Sequence, residues 1–264
     1  MPLTTGSTRV KEARKLSRRS VRTERRLFLA DGPKAVEGAL ARSGCVAEVF
    51  ATPEATQRYA ALADHAATAG AGWSLVDERA LASLSDSVTP AGVVAVCRAL
   101  DRPLTDLLEA GPRLVAVCAD VRDPGNAGTV IRCADAAGAD LVVLAGTSVD
   151  PYNPKTVRAS VGSLFHVPLA VEPDAAGAVG ALRAAGLTVL ATAGDGEVGL
   201  YDAPLDGPTA WLFGNEAHGL PDALAALADH RVAIPIHGRA ESLNLSTAAA
   251  LCLYESARRG PAAH

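Results

Sequence analysis

The chain has 264 residues, 49% hydrophobic and 20% charged, which excludes a disordered or fibrous protein. Its five cysteines are odd in number and contain no C-x-x-C pair, so they indicate neither a disulfide framework nor a zinc site, and we expect no metal. Because no apolar run reaches the roughly 18 residues of a membrane span and the start lacks the apolar core of a signal peptide, we expect a cytoplasmic protein without membrane contact.

The charge is unevenly distributed. Although the net charge of −4 argues weakly against a nucleic-acid partner, residues 1–26 carry nine Lys and Arg against two Glu, a local charge of +7. Such a cluster can neutralise the phosphates of a nucleic acid whatever the overall sign, although a solvated N-terminus explains the charge about equally well. The residues predicted to bind nucleic acid are Arg9, Lys11, Arg18, Arg19, Arg22 and Arg25.

The first hundred residues alternate between helical and strand patterns, which predicts a compact α/β domain at 1–100. The predicted helices cover 8–21, 33–42, 54–69 and 77–84, and the predicted strands cover 27–30, 45–51, 73–76 and 92–98. Residues 101–112 contain two prolines and a glycine without a strong period, so we interpret them as a linker.

The pattern restarts in a second domain, predicted at 113–264. Near-continuous apolar runs separated by helices favour a parallel sheet covered on both faces, and periodicity alone indicates a Rossmann-like α/β fold. The predicted strands cover 114–119, 140–145, 187–193, 209–213 and 231–236, and the predicted helices cover 127–138, 153–163, 220–228 and 243–258.

A first polar cluster follows the strand at 114–119. It reads DVRDPGNAGT at 120–129, with Arg132 one turn further along the next helix. Ligands collect at the carboxyl ends of parallel strands, and the first amides of a helix can meet an anion. For a single glycine-rich turn, an ordinary loop with an exposed arginine is favoured by about two to one, and the sequence is neither G-x-G-x-x-G nor a P-loop.

A second cluster, WLFGNEAHGLP at 211–221, runs from a buried strand into a turn. Gly214 removes the Cβ that would block a flat ligand, and Glu216 can meet a positive group such as a sulfonium. Alternatively, Asn215 and Glu216 simply cap the following helix. His218 is interpreted as a bystander.

A third cluster, IPIHGRAESLNLST at 234–247, again joins a strand to a helix. Four polar residues stand at the start of an Ala- and Leu-rich helix, namely Ser242, Asn244, Ser246 and Thr247. Capping explains one or two of them but hardly all four. Three such turns in one domain predict a single composite pocket.

Together the clusters resemble the motifs of the SpoU/TrmH family of RNA ribose 2′-O-methyltransferases, within the SPOUT superfamily. The matching patterns are D-x-R-D-P-G-N-x-G-T-x-x-R with A-D-A-x-G, F-G-N-E-x-x-G-L, and I-P-I-x-G-x-x-x-S-L-N-x-S-x-A, in that order over 113–259. The first hundred residues are similar, more weakly, to the small RNA-binding domain that precedes the catalytic domain in members acting on large-subunit ribosomal RNA.

The resemblance implies a C-terminal trefoil knot, a homodimer whose partner helps to complete each active site, and S-adenosylmethionine as methyl donor. Donor contacts are implied mainly for backbone at Thr192, Ala193, Gly194, Phe213, Gly214, Asn215, Ile234, Ile236, Leu243 and Ser246. Catalysis is implied for Arg132, surrounded by Asn126, Glu216, Ser242 and Asn244.

The expected reaction is methyl transfer to a ribose hydroxyl of RNA, with 23S ribosomal RNA as the expected substrate. A guanidinium stays protonated, so we expect Arg132 to bind a phosphate or the developing alkoxide, while Glu216 or a phosphate oxygen takes the proton. Transfer RNA is the alternative substrate, and an inactive RNA-binding homologue is disfavoured by the intact motifs. A dinucleotide-binding oxidoreductase would need the missing G-x-G-x-x-G.

Overall fold

The computed structural model describes residues 1–259, and contacts within it divide the chain into two compact units. The first unit combines Met1–Leu100 with Asp150–His166, and the second combines Asp101–Val149 with the chain from Val167 onward. The last five residues of the predicted second domain, 260–264, lie outside the described residues.

The helices and strands follow in chain order. The α-helices are α1 (Thr8–Arg14), α2 (Arg19–Arg25), α3 (Pro33–Ala41), α4 (Pro53–Arg58), α5 (Ala60–Thr68), α6 (Glu78–Ala82), α7 (Leu104–Leu108), α8 (Pro124–Ala136), α9 (Pro154–Ala159), α10 (Ala175–Ala184), α11 (Asp222–Ala225) and α12 (Leu245–Arg259). The strands are β1 (Leu27–Asp31), β2 (Val46–Ala51), β3 (Gly72–Leu75), β4 (Val93–Arg98), β5 (Leu114–Ala119), β6 (Leu141–Ala145), β7 (Leu169–Glu172), β8 (Thr188–Thr192), β9 (Val198–Gly199), β10 (Thr209–Phe213) and β11 (His230–Ala233).

The first unit contains a mixed sheet in the order β1-β4-β2-β3. Strand β4 is antiparallel to both β1 and β2, whereas β2 and β3 are parallel. The single helix predicted at 8–21 is instead broken by a 3-10 turn at Lys15–Ser17. The break is stabilised because Nη1 of Arg22 donates hydrogen bonds to the carbonyl oxygens of Leu16 and Ser17, at 2.9 and 2.8 Å.

One segment belongs to a different unit from the one predicted. Residues 150–166 follow β6 in sequence but pack in the first unit, where the Tyr152 ring stacks on Phe28 with 4.5 Å between centroids and Phe165 lies 6.0 Å from Phe28. The apolar surface of these aromatic rings explains the placement, because burying it stabilises the unit.

The second unit contains a seven-stranded parallel sheet in the order β7-β6-β5-β10-β8-β11-β9, which confirms the predicted sheet type. Central strands β5 and β10 are buried along their whole length. The predicted linker contains α7, whose Leu104 and Leu107 are buried in the core of this unit.

The sheet order places the ends of several strands together. Strands β5, β10, β8 and β11 are consecutive neighbours and parallel, so the loops that follow them emerge at one edge of the sheet. The last of these strands ends at Ala233, short of the predicted 236, because Pro235 has no N–H to continue the ladder. The chain from Ile234 onward is therefore released to this edge.

Candidate functional site

The turn between β5 and α8 is fixed by two carboxylates. Asp123 caps α8, since its Oδ1 accepts a hydrogen bond from the backbone N–H of Asn126 at 2.8 Å. Asp120 has a φ of 56°, and its Oδ1 accepts hydrogen bonds from the N–H and the hydroxyl of Thr147, both at 2.7 Å. These two bonds lower the pKa of Asp120, so the carboxylate stays ionised and holds the strained turn.

The turn after β10 closes on itself. Asn215 and Gly219 exchange backbone hydrogen bonds of 2.9 and 2.8 Å. A Cβ placed on Gly214 would lie 2.4 Å from backbone atoms of Gly219 and Leu220. The absent side chain of Gly214 therefore has a structural reason that was not predicted, because it lets the turn close.

The side chain of Asn215 joins this turn to the neighbouring strand end. Its Nδ2 donates to the carbonyl of Asp120 at 2.9 Å, and its Oδ1 accepts from the N–H groups of Ala217 and His218 at 2.9 and 3.3 Å. The side-chain amide of Asn215 thus holds the ends of β5 and β10 together. It does not cap α11, which begins at Asp222.

Glu216 extends from the second turn to the first. Its carboxylate accepts hydrogen bonds from the backbone N–H groups of Arg122 and Asp123, at 3.2 and 3.1 Å, and from Nδ2 of Asn126 at 3.3 Å. Partial burial acts to raise the pKa of Glu216, but these hydrogen bonds outweigh it and lower the pKa below its ordinary value. A carboxylate held in this way is a weak proton acceptor.

The third turn reaches the first through Asn244. Its Oδ1 accepts hydrogen bonds from the N–H and hydroxyl of Ser246, at 2.8 and 2.7 Å, and so caps α12. Its Nδ2 donates to Oδ1 of Asn126 at 3.1 Å. Asn244, Asn126 and Glu216 therefore form one hydrogen-bonded chain that joins all three clusters, as the composite pocket requires.

A cavity of about 500 Å³ lies beside this chain at the sheet edge. Its walls come from the loops after β8, β10 and β11 and from the start of α12. The lining residues are Thr192, Ala193, Gly194, Gly214, Asn215, Glu216, Gly219, Val232, Ala233, Ile234, Pro235, Ile236, Gly238, Ala240, Glu241, Ser242, Leu243, Leu245 and Ala248. Most of the wall is apolar or backbone, and the carboxylates of Glu216 and Glu241 are its acidic groups.

The structure brings most of the predicted donor-site residues to this cavity. Phe213 and Ser246 are exceptions: Phe213 is buried in the sheet, and the Ser246 hydroxyl bonds Asn244. Of the predicted catalytic residues, Glu216 and Ser242 line the cavity, while Asn126 and Asn244 stand behind Glu216. Glu241 and Gly238 also line the cavity and were not predicted, although both belong to the third cluster.

Arg132 lies outside both the cavity lining and the hydrogen-bonded chain. Its side chain is exposed, and it makes no hydrogen bond or ion pair within residues 1–259. It lies six positions after Asn126 on α8, which turns the two side chains about 120° apart around the helix axis.

The basic segment of the first unit contains one residue that cannot reach RNA. Arg22 is only 5% exposed, and its Nε and Nη2 donate to Oδ2 of Asp150 at 2.8 and 2.6 Å, in addition to the two carbonyls described above. Its place in the predicted RNA-binding set was therefore wrong, because the guanidinium is buried and fully engaged.

The remaining predicted basic residues are exposed, with different partners. Arg9 bonds Glu48 and Ser74, and Arg25 forms a salt bridge of 2.8 Å with Glu12. Within the described chain, Lys11, Arg18 and Arg19 have no carboxylate partner. Lys11 and Arg18 line a groove with three further residues, Arg14, Lys15 and Ser17.

Residues 1–259 contain no group of three or more His, Cys, Asp or Glu side chains arranged to hold a metal ion. No helix in the same range is both long and apolar enough to cross a bilayer.

The fold and site define a class: a small α/β unit joined to a parallel α/β unit whose strand-end loops enclose a small-molecule cavity. Residues 113–254 match the model of the SpoU rRNA methylase family, and residues 7–95 match an MRM3-like substrate binding domain. The chain belongs to the SpoU rRNA methylase family.

Three similar proteins cover nearly the whole chain. The 23S rRNA (guanosine(2553)-2′-O)-methyltransferase RlmP of Bacillus subtilis is 35% identical over 93% of this chain and 94% of its own. The AdoMet-bound rRNA methyltransferase of Sinorhizobium meliloti has a TM-score of 0.85 and 35% identity, covering 98% and 97%. The SpoU methyltransferase AviRb of Streptomyces viridochromogenes, in complex with AdoMet, has a TM-score of 0.84 and 31% identity, covering 96% and 97%.

Proposed function

We propose that this protein transfers a methyl group from S-adenosylmethionine to a ribose 2′-hydroxyl of RNA, with 23S ribosomal RNA as substrate. The main observation in support is the series of side-chain hydrogen bonds from Asn244 through Asn126 to Glu216, which joins all three family motifs beside one cavity. The 23S rRNA methyltransferase RlmP, which is similar over nearly the whole chain, supports 23S ribosomal RNA as the substrate. The match to a substrate binding domain at 7–95 supports a division of labour in which residues 1–100 bind RNA.

The cavity fits S-adenosylmethionine. Its volume of about 500 Å³ lies in the range of small-molecule sites, and Ile234, Ile236 and Leu243 offer apolar wall for a flat purine. A Cβ on Gly194 would meet nothing within 4 Å, so this part of the wall is open. Bound there, S-adenosylmethionine supplies an activated methyl group. The ionised Glu216 carboxylate in the cavity wall would favour a positively charged sulfonium.

The side chains of the site have distinct tasks in this proposal. Asn126 and Asn244 hold Glu216 and the start of α12 in position. Ser242 offers its hydroxyl at the cavity wall. Glu216 is a weak proton acceptor because its lowered pKa and its three hydrogen bonds favour the ionised form. A phosphodiester oxygen is a weaker base still, so of the two expected acceptors we assign the hydroxyl proton to the Glu216 carboxylate.

Arg132 is proposed to stabilise negative charge on the RNA. Its guanidinium remains protonated, so it acts by electrostatic attraction to the target phosphate or the developing alkoxide. The lack of an intramolecular partner within the described residues leaves its donors available for that anion.

RNA binding by the first unit is proposed to use the exposed members of the predicted set. Lys11, Arg18 and Arg19 carry uncompensated charge, and Arg9 and Arg25 contribute at the edges of the same segment. Neutralising several phosphates makes binding dependent on salt. Raising the salt concentration should therefore weaken RNA binding steeply.

We further propose a cytoplasmic homodimer with the trefoil knot of its family. An apolar patch on the second unit supports the dimer: Tyr201, Leu251 and Tyr254 are 55%, 41% and 53% exposed and line one surface depression with Ala250. Tyr254→Glu should shift the protein to monomer in analytical ultracentrifugation. A variant that stays dimeric would show that this patch is not the interface.

The activity is tested with a labelled methyl donor. Incubation with purified ribosomal RNA should label alkali-resistant dinucleotides, which form only where the 2′-oxygen is methylated, whereas transfer RNA should stay unlabelled. Label in transfer RNA alone would show that transfer RNA is the substrate. No label in either RNA would contradict the proposed methyltransferase activity.

Arg132→Ala tests the assignment of the catalytic charge. Loss of one charge-stabilising group should lower kcat by about 10²–10³ while RNA and donor binding persist. Arg113→Ala is the matched control, because Arg113 is an exposed arginine at the opposite end of β5. Equal turnover in the two variants would remove the proposed role of Arg132.

A further inference from the structure

The second unit is strongly acidic, so an arginine that forms no salt bridge there is a candidate for binding a phosphate. It carries nine arginines and no lysine against eighteen Asp and Glu, a net charge of −9. Four of the nine are neutralised by carboxylates in salt bridges, namely Arg183, Arg231, Arg258 and Arg259. A phosphate chain approaching this unit therefore needs a cation that is placed specifically and not already paired.

Arg122 is placed specifically and forms no salt bridge within residues 1–259, although its charge interacts with that of the nearby Asp120 carboxylate. Its side chain is exposed, and its Nη2 donates a hydrogen bond to the hydroxyl oxygen of Thr147 at 3.0 Å. The Thr147 hydroxyl in turn donates to Asp120 at 2.7 Å. This tether fixes one side of the guanidinium. Its other N–H groups have no partner among residues 1–259.

Arg122 also lies next to the candidate active site. Its backbone N–H donates to Oε2 of Glu216, a residue of the cavity wall, at 3.2 Å. Arg132 is ten residues further along, and roughly 12 Å of α8 separates it from the first residue of that helix. The two arginines are therefore not stacked at one point.

We propose that Arg122 binds a phosphodiester of the substrate RNA next to the nucleotide that is methylated, and so positions the ribose. The inference rests on the proposed function and names a contact for the same site. A planar guanidinium matches two phosphate oxygens, and its tether to Thr147 reduces the conformational entropy lost on binding. Arg122 is a positioning residue, because it acts on the RNA backbone and not on the reacting atoms.

The test compares Arg122→Ala with Arg113→Ala, two exposed arginines that flank opposite ends of β5. Deproteinised large-subunit ribosomal RNA is the probe. Arg122→Ala should raise the KM for RNA about tenfold with little change in kcat, and should reduce the slope of log binding constant against log salt by about one. Donor affinity, measured by calorimetry, should not change. Arg113→Ala should match the wild type.

A second pair of variants separates charge from placement. Arg122→Lys keeps the charge but loses the planar fork, so it should restore the salt slope while KM stays elevated. Thr147→Val removes the tether and should raise KM with the salt slope unchanged.

Two results bear on different claims. If the wild type methylates RNA but Arg122→Ala and Arg113→Ala have the same KM and salt slope, the proposed role of Arg122 is wrong. The proposed methyltransferase activity is then unaffected. If the wild type labels no RNA, the proposed function itself fails, whereas the salt slopes still report whether Arg122 contacts the RNA backbone.

Discussion

The basic segment of the first unit and the three turns of the second unit both contain polar residues that suggest contact with a ligand. In the basic segment, most charges lie on the surface, but Arg22 is buried and holds the break between α1 and α2. In the turns, the side chains of Asn215 and Asn244 form hydrogen bonds with the protein backbone and so shape the cavity. Residue type therefore indicates a functional region, whereas burial and hydrogen-bond partners decide which residue can contact the ligand.

The largest expected effect is a loss of stability in the first unit when its buried arginine, Arg22, is replaced. Arg22→Ala leaves Asp150 without its cation and should destabilise the first unit by about 3–5 kcal/mol. The matched control is Arg19→Ala, an exposed residue of the same helix, which should change stability by less than about 0.5 kcal/mol and weaken RNA binding instead.

Tryptophan fluorescence can follow this unit alone. The chain has two tryptophans, and Trp73 lies in the first unit while Trp211 lies in the second. Urea unfolding in a Trp211→Phe background therefore reports Trp73. Equal unfolding midpoints for Arg22→Ala and Arg19→Ala would show that Arg22 has no structural role.

The second prediction contrasts two glycines of the cavity wall. Gly214→Ala places a methyl group against the backbone of Gly219 and should cost about 1–3 kcal/mol of stability. Gly194→Ala finds open space, so it should leave unfolding unchanged and reduce donor affinity by narrowing the cavity. Urea unfolding of the second unit, read from Trp211 in a Trp73→Phe background, and calorimetry with the donor measure the two effects. A stable Gly214→Ala variant would contradict the closed turn.

Much of the second unit could be predicted because its central strands are fully buried. Their apolar runs, such as β5 and β10, can be read from the sequence directly. Strand β7 and helix α10 were not predicted. Strand β7 is a four-residue edge strand after Pro168, and α10 contains Gly177 and Gly180, which are poor helix formers.

The site was predictable in its location but not in its internal bonding. The motifs named Asn126, Glu216 and Asn244, yet nothing in their spacing shows that the three side chains bond one another. Such bonds join residues about 90 and 118 positions apart, so they depend on the tertiary fold. The burial of Arg22 was hidden for the same reason, because its partner Asp150 is 128 positions away.

The third prediction measures how strongly the turns are coupled. Asn126→Ala and Asn244→Ala remove opposite ends of one hydrogen bond, so a double-mutant cycle on donor affinity should give a coupling of about 0.5–1 kcal/mol. Asn126→Ala paired with Ser242→Ala is the control, since no bond joins those two within the described residues. Additive effects for the Asn pair would mean that the two turns bind the donor independently.

The smallest expected effect concerns pH. Because the folded protein lowers the pKa of Glu216 below its ordinary 4.5, ionised Glu216 stabilises the fold above that value, and this contribution is lost as pH falls through the folded pKa. The side chain is exposed, so solvent screens the effect and it should be small. Glu216→Gln should lower the Tm at pH 7, and its difference from the wild type should shrink below pH 4. A difference that is constant from pH 7 to pH 3 would show that the charge of Glu216 does not hold the turns together.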